Sequence, residues 1–307
     1  MTTLHIANTQ FESELQGLQD NHPVHDQLQF LPLLYASPED LVLANWFPPD
    51  LPKTPKVVDK DHITEAKRIE SWGPSAKIQE FAKQHHLEYD IPPIDVVKTV
   101  ASKFYPIEQG FGLPTSLILN SQAEIDHWIN NVKLPFVLKK PFATAGRGHK
   151  IFKCKADLHY EFKEPVLAEP WVSRECDFST QWNIEKSGKI VFIGWTIMDC
   201  NEFGKYRATH IKSERPNFIN AHIEQIQSLL NGIVKLGFFG QLGIDGFTYN
   251  GQLNAACEIN PRKTMGWVAL KLCEKLQTQT LSMFYCRGKK GLLPTTSLGL
   301  QLTVTTP

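Results

Sequence analysis

Glu258 and Asn260 stand one residue apart, Arg262 follows two further on, and Asp245 precedes all three across the dipeptide Asn250-Gly251. In an extended chain successive side chains point to opposite faces, so with 255–260 as a strand Glu258 and Asn260 project from the same side. Two carboxylates and a carboxamide supply the hard oxygen ligands that Mg²⁺ takes, and a guanidinium beside them can grip a carboxylate with two parallel hydrogen bonds. The elements that position them follow from local sequence. Residues 245–249 and 252–254 read as two strands joined by the type I′ turn that Asn-Gly favours, which sets Asp245 near the open end of a hairpin and Glu258 just beyond its return strand. The competing reading is an edge strand whose exposed face carries Glu258 and Asn260, with Asp245 capping a turn.

A second segment carries chemistry. The apolar run 134–138 leads into Lys139-Lys140 and then into a loop of small residues that contains Gly146 and Gly148 and ends at His149. Small residues let backbone N–H groups wrap an anion, and a lysine at a strand end adds a point charge for phosphate. The pattern is not a Walker A loop, for want of Gly-Lys-Ser/Thr, nor the dinucleotide fingerprint, for want of a third glycine after Gly146-Arg147-Gly148. Read alone, 143–148 is equally a hairpin turn. Lys139 and Lys140 are adjacent, so a strand sends them to opposite faces and one of them reaches a nucleotide.

In order and separation these segments resemble the ATP-grasp superfamily, and within it the carboxylate-amine ligases, over most of the chain. The resemblance implies an α/β (α+β grasp) fold. An N-terminal α/β lobe (1–105) would precede a two-lobed ATP-grasp domain, with the phosphate flap in a small lobe (106–172) and the metal site in a large lobe (173–307). It implies that Lys139 and the loop through Gly146 and Gly148 form the flap, and Lys139 is favoured over Lys140 because members read Lys-x-Pro before the loop. Glu169-Pro170-Trp171-Val172 is similar to the family's hinge. There, backbone groups flanking the aromatic, here Pro170 and Val172, hold adenine, and the acid, here Glu169, lies near the purine amino group. Asp177-Phe178-Ser179 resembles the next step, at which an acid meets the ribose hydroxyls, a role for which Glu175 competes. Ala101-Ser102-Lys103 resembles the upstream lysine that also reaches the nucleotide. Asp245, Glu258 and Asn260 fall on the metal ligands, and Arg262 on the arginine after them. Lys212 and Arg215 lie where members keep phosphate or substrate contacts. The chain departs from the pattern at Ala143 and Thr144, where members often have glycine, which implies a stiffer flap.

The activity so implied is an ATP- and Mg²⁺-dependent ligation, Mn²⁺ serving in place of Mg²⁺. A carboxylate becomes an acyl phosphate and is joined to an amine, with Arg262 and Lys139 as the catalytic residues and small-molecule carboxylate and amine as the partners. The superfamily also contains phosphotransferases and thioester-forming ligases, and a nucleotide-binding protein without turnover is a third reading. Binding alone does not require a metal set, so the presence of Asp245, Glu258 and Asn260 beside Arg262 favours chemistry.

Composition bounds the rest. The 307 residues, 42% hydrophobic, are enough for a full core in two or three lobes. Formal charge is zero, from 32 basic and 32 acidic residues, so neither nucleic acid nor membrane is expected as a partner, and homodimerisation stays open. The six cysteines show no Cys-x-x-Cys, which fits reduced thiols, and Cys257 is expected to be a buried thiol facing away from Glu258. His22 with His25, and His85 with His86, lack companions at ligand spacing and read as surface histidines. Met1–Ile6 has no basic start and no apolar core of a leader, so a cytoplasmic location is expected.

Among the elements, Ser121 with Glu124 forms a capping box before Ile125, Trp128, Ile129 and Val132, which predicts a helix leading into the flap strand. Helices are also predicted from Ser75, over 223–234 with an end at Gly237, and over 265–276. The proline-rich run 46–55 reads as an extended connector whose exposed aromatics line an acceptor pocket, and the tail after Arg287 reads as loosely held.

Overall fold

The computed structural model describes residues 1–49, 51–142, 148–154, 159–287, 291–294 and 300–306. Among these the strands form three sheets. The first is parallel, built from β1 (Thr3–Ile6), β2 (Leu41–Leu43), β3 (Lys56–Val58) and β4 (Arg68–Ser71) in the order β3-β2-β1-β4. Strand order reverses between β1 and β4, so the chain leaves a crevice at the carboxyl ends of those two strands, where open parallel sheets take ligands. Helices α1 (Phe11–Leu15), α2 (Val24–Leu28) and α3 (Ala76–Gln84) complete this region, and Ser75 caps α3 by accepting a bond from the Ile78 N–H.

The connector at 46–55 departs from expectation. Trp46 packs edge-on against Phe30 at 5.2 Å and its indole N–H donates to the Asp26 carbonyl, while Phe47 points to solvent, and neither aromatic lines the two cavities described below. An indole with an apolar body and one donor finds both partners on the lobe's own flank.

Helices α4 (Ile94–Ala101) and α5 (Phe104–Glu108) leave Lys103 at their junction. Next comes an antiparallel sheet of β5 (Leu117–Leu119), β6 (Phe136–Lys139), β7 (His149–Phe152) and β8 (Val166–Pro170), in the order β5-β8-β6-β7, with α6 (Gln122–Asn131) against it. The capping box forms as expected, Ser121 accepting from the Glu124 N–H. Trp128 stands edge-on to Phe136 at 5.0 Å, and Phe136 stacks on Phe152 at 4.7 Å, which fixes α6 over β6 and β7.

The third sheet is antiparallel throughout. It contains β9 (Cys176–Ile184), β10 (Ile190–Cys200) and β11 (Tyr206–Ile211), then, after α7 (Asn217–Gln225) and α8 (Gln227–Lys235), β12 (Gly240–Tyr249) and β13 (Gln252–Asn260), and, after α9 (Met265–Leu276), β14 (Leu281–Arg287) and β15 (Leu300–Thr305). The helix expected over 223–234 is divided at Ile226, and α9 keeps its expected bounds, capped by Thr264. The described part of the tail is held more firmly than its composition implies, because β15 pairs along β14 and both Leu293 and Leu302 are buried.

One apolar cluster joins the first and third regions, running from Phe11, Leu31 and Trp72 to Trp182, Ile233, Ile259 and Trp267. Burial of this seam holds the end of the parallel sheet over the face of β12 and β13. No helix among the described residues is long and apolar enough to cross a membrane.

Candidate active site

Asn250 and Gly251 both take positive φ, 47° and 68°, as a type I′ turn requires, and β12 and β13 pair on either side of them. In this ladder Asp245 lies opposite Glu258 and Gly243 opposite Asn260. Glu258 is thus inside the return strand rather than just past it. Between these pairs and Phe247↔Asn254 the register shifts, so residues 255–257 of β13 oppose Gly246 alone. A bulge of this kind re-aims side chains. Cys257 accordingly lines the same cavity as Glu258, contrary to the expectation that it faces away. Burial pushes its thiol up to about 12, which leaves it without nucleophilic thiolate at neutral pH.

The acids differ in their surroundings. Burial and then the neighbouring Glu258 charge push Asp245 up to about 6, against hydrogen bonds from Ser179 and Asn260, the latter 3.0 Å from amide nitrogen to carboxylate. Burial acts on Glu258 in the same direction, yet the Lys103 ammonium, which donates to it, together with Arg262, holds it below the usual carboxylate range. A hydrogen-bonded chain stands behind Asp245. Thr264 donates to Gln181 at 2.8 Å, and Gln181 donates to Ser179 at 2.7 Å. Gly243 is required beside it, since a Cβ there would come within 2.6 Å of Thr264 Cγ2.

These residues open on a cavity of about 1010 Å³ whose wall includes Asp245, Glu258, Asn260, Arg262, Lys103 and Lys139. Lys103 is fixed by its own N–H, which donates to the Pro141 carbonyl at 3.0 Å, and so sits directly below the start of the loop after β6. Lys139 is buried and donates to Glu169, which also accepts from Ser116 at 3.3 Å. Lys140 points away to an exposed bridge with Glu164 at 2.6 Å, as strand alternation demands. His149 faces the two lysines. Burial, then Lys139 and Lys103, press its imidazole down to about 3, so it stands neutral beside them. Gly148 takes φ 74°, whereas Gly146 lies outside the described residues, as do Ala143 and Thr144. Arg262 is held from the parallel-sheet region: its Nε and Nη2 lie 2.7 and 2.5 Å from Glu12 Oε1, and its guanidinium is 5.8 Å from the Trp72 ring.

The link from β8 to β9 also reaches the cavity. Trp171, Arg174 and Asp177 line the wall there, whereas Glu169, Pro170 and Val172 do not. Asp177 is paired to Arg174 at 2.6 Å. Glu175 is turned to the hairpin, where its carboxylate accepts from the Gly251 N–H at 3.1 Å, so of the two acids Asp177 is the one on the cavity. Lys212 and Arg215 line an adjoining cavity of about 810 Å³ that shares His210, Ser282 and Thr305 with the main one.

Several wall residues have no role at the site in the sequence reading. His22, exposed as expected, and the half-buried His25 both lie on the wall of the main cavity, and His25 Nδ1 is 2.7 Å from Thr9 Oγ1 while its Nε2 is 3.2 Å from Asp20. Arg207 enters from β11 and Trp72 from the end of β4. Only the reversal of strand order between β1 and β4 could have pointed to Thr9 and Trp72.

Two acids in one buried site, a carboxamide beside them and two ammonium groups facing them form a donor set suited to a hard divalent cation and an oligophosphate. The raised Asp245 is the observation that fits a cation here, because a positive ion would relieve the like-charge pair.

Residues 107–277 match the family described as the ATP-grasp domain. Solved structures of similar fold include the N5-carboxyaminoimidazole synthetase of Staphylococcus aureus complexed with ADP, with TM-score 0.61 and 14% identity over 94% of this chain and 83% of that one. A biotin carboxylase–nucleotide complex from Campylobacter jejuni gives TM-score 0.60 and 11% identity over 95% of this chain and 77% of that one. The biotin carboxylase domain dimer of the Hydrogenobacter thermophilus 2-oxoglutarate carboxylase, in complex with MgADP, ADP and bicarbonate, gives TM-score 0.61 and 12% identity over 99% of this chain and 85% of that one. By sequence, the chain matches no curated protein.

Proposed function

This chain belongs to the ATP-grasp family, and we propose on that premise that it is an ATP- and Mg²⁺-dependent ligase that activates a carboxylate as an acyl phosphate and joins it to an amine. The observation that carries the reading is the unequal carboxylate pair, Asp245 short of a cation and Glu258 supplied with one by Lys103, on a cavity that also holds Lys139 and Arg262.

In this reading Asp245, Glu258 and Asn260 hold Mg²⁺, which when bound neutralises charge on the β- and γ-phosphates. Lys103 and Lys139 would neutralise the phosphates, with Gly148 at the end of the loop to which the resemblance assigns the flap role. Phosphoryl transfer is mostly positioning and charge neutralisation, so these groups act by geometry rather than by covalent chemistry. Asp177 receives the ribose hydroxyls. Arg262 meets the substrate carboxylate, orients it for transfer and then binds the oxyanion that forms when the amine attacks. The crevice at the ends of β1 and β4, with Thr9, His25 and Trp72, receives the acceptor.

The test is purified protein with MgATP against pools of amino acids and small carboxylates, bicarbonate included, scoring ADP release and new mass. Acceptor-dependent ADP with an amide product supports a ligase; a stable phosphorylated product places the protein among phosphotransferases.

A further inference from the structure

The geometry points to Arg174 as a resident occupant of the base end of the nucleotide site, a side chain that nucleotide must displace before it can bind. This rests on the ATP-binding reading above. The Arg174 guanidinium carbon lies 4.1 Å from the centre of the Phe247 ring and 5.9 Å from that of Trp171. Phe247 belongs to a small apolar cluster with Leu113, Tyr249, Val172 and Cys257, which includes the hinge residue Val172. Arg174, Trp171 and Cys257 line the cavity, but Phe247 and Val172 do not, so the guanidinium lies as a cover between the open volume and the apolar wall. A planar, delocalised cation satisfies an aromatic face much as a stacked base does.

The same side chain engages the acid assigned to the ribose. Arg174 Nη1 lies 2.6 Å from Asp177 Oδ1. A nucleotide laid along the hinge therefore needs two things that Arg174 now holds, the Phe247 face and the Asp177 carboxylate. Displacing the guanidinium breaks no helix or strand, since residues 171–174 have no regular secondary structure and carry it on a long side-chain stem. Affinity is then reduced by the fraction of molecules in which Arg174 is out of the way.

The experiment is calorimetric titration of MgADP into the full chain as wild type, Arg174→Ala and Arg174→Lys, with a thermal melt of each protein. Loss of the ring contact and the Asp177 pair should let Arg174→Ala bind MgADP about tenfold tighter than wild type. Arg174→Lys, which keeps charge but loses the planar face, should fall between them. Where Arg174→Ala does not fold, Arg174→Gln carries the same expectation. Equal or weaker binding by the folded variants, with wild type binding normally, overturns the inference alone and makes Arg174 a bystander or a base contact. If neither wild type nor variant binds MgADP, the ATP-binding reading falls and this inference with it.

Discussion

Asp245 lies directly across the β12–β13 ladder from Glu258, and Lys103 donates to only the second of these two acids. The asymmetry appears in their ionisation. Glu258 is held below the usual range while Asp245 is pushed up to about 6 by burial and by Glu258 itself. Like charges brought together in a partly desolvated site raise the free energy of the folded protein, and a divalent cation is the natural remedy. The hydrogen-bonded chain Thr264–Gln181–Ser179 then holds Asp245 in place against the repulsion.

Asp245→Asn removes one charge of the pair and keeps the side-chain shape. Metal-free protein should gain about 1–2 kcal/mol of stability, the pKa displacement discounted for the partial exposure of the site. Nucleotide turnover should vanish, because a neutral amide cannot replace an anionic ligand. Chemical denaturation in chelator and an ADP-release assay in Mg²⁺ read the two effects. A variant less stable than wild type in chelator would mean that Asp245 is satisfied as it stands.

Lys139 and Lys140 should separate cleanly on ATP affinity. Loss of a charge-assisted phosphate contact costs about 1.5–3 kcal/mol, so Lys139→Met should weaken ATP binding by one to two orders of magnitude, roughly, while exposed Lys140→Ala stays near wild type. Lys139→Met also strands Glu169, which is buried, and should lower stability. Adding Glu169→Gln should restore the melt without restoring affinity. Calorimetry and melting curves on the set check this; unchanged affinity in a folded Lys139→Met would remove Lys139 from the nucleotide site.

The hairpin and its acids were legible in the sequence because their determinants are local: Asn250-Gly251 sets the turn, and alternation sets the faces of Glu258 and Asn260. Lys139 against Lys140 yields to the same rule. Cys257 does not, since the bulge that turns it inward arises from pairing with Gly246, a contact across strands. His25 and Thr9 reach the cavity through the packing of one region on another, and Arg174 meets Phe247, far along the chain and beyond any local pattern. Trp46 misled for the opposite reason: its composition reads as exposed, and its partner Phe30 is supplied by tertiary packing.

His222 makes the fold acid-sensitive. It is fully buried, with Nε2 2.7 Å from Thr180 Oγ1, and burial presses its imidazole down to about 4. The unfolded state therefore binds a proton that the folded state refuses, so stability is unaffected well above the ordinary histidine pKa of about 6.5, declines as pH falls below it, and levels off below the depressed value. The loss reaches about 3 kcal/mol at most. Urea midpoints between neutral pH and acid, wild type beside His222→Gln, should show a shallower decline in the variant. Parallel curves would assign the acid sensitivity elsewhere.

Arg262 separates ligase from phosphotransferase chemistry, and its anchoring sharpens the test. An acyl phosphate is a mixed anhydride that hydroxylamine intercepts, whereas a phosphate ester is inert to it. With a carboxylate that stimulates ADP release, hydroxylamine should yield the hydroxamate, dependent on ATP and Mg²⁺. Arg262→Ala should suppress it by roughly 3–4 kcal/mol in transition-state terms if Arg262 acts as a preorganised donor to the developing oxyanion. Glu12 grips Arg262 through Nε and Nη2, so Glu12→Gln should loosen the guanidinium and give a smaller loss of the same kind, without touching nucleotide affinity. Hydroxamate yield and MgADP affinity, measured on both variants, decide the matter. If Arg262→Ala traps as much hydroxamate as wild type, Arg262 is a bridge between lobes, and the carboxylate is held by another cation on the wall, of which Arg207 is the nearest in kind.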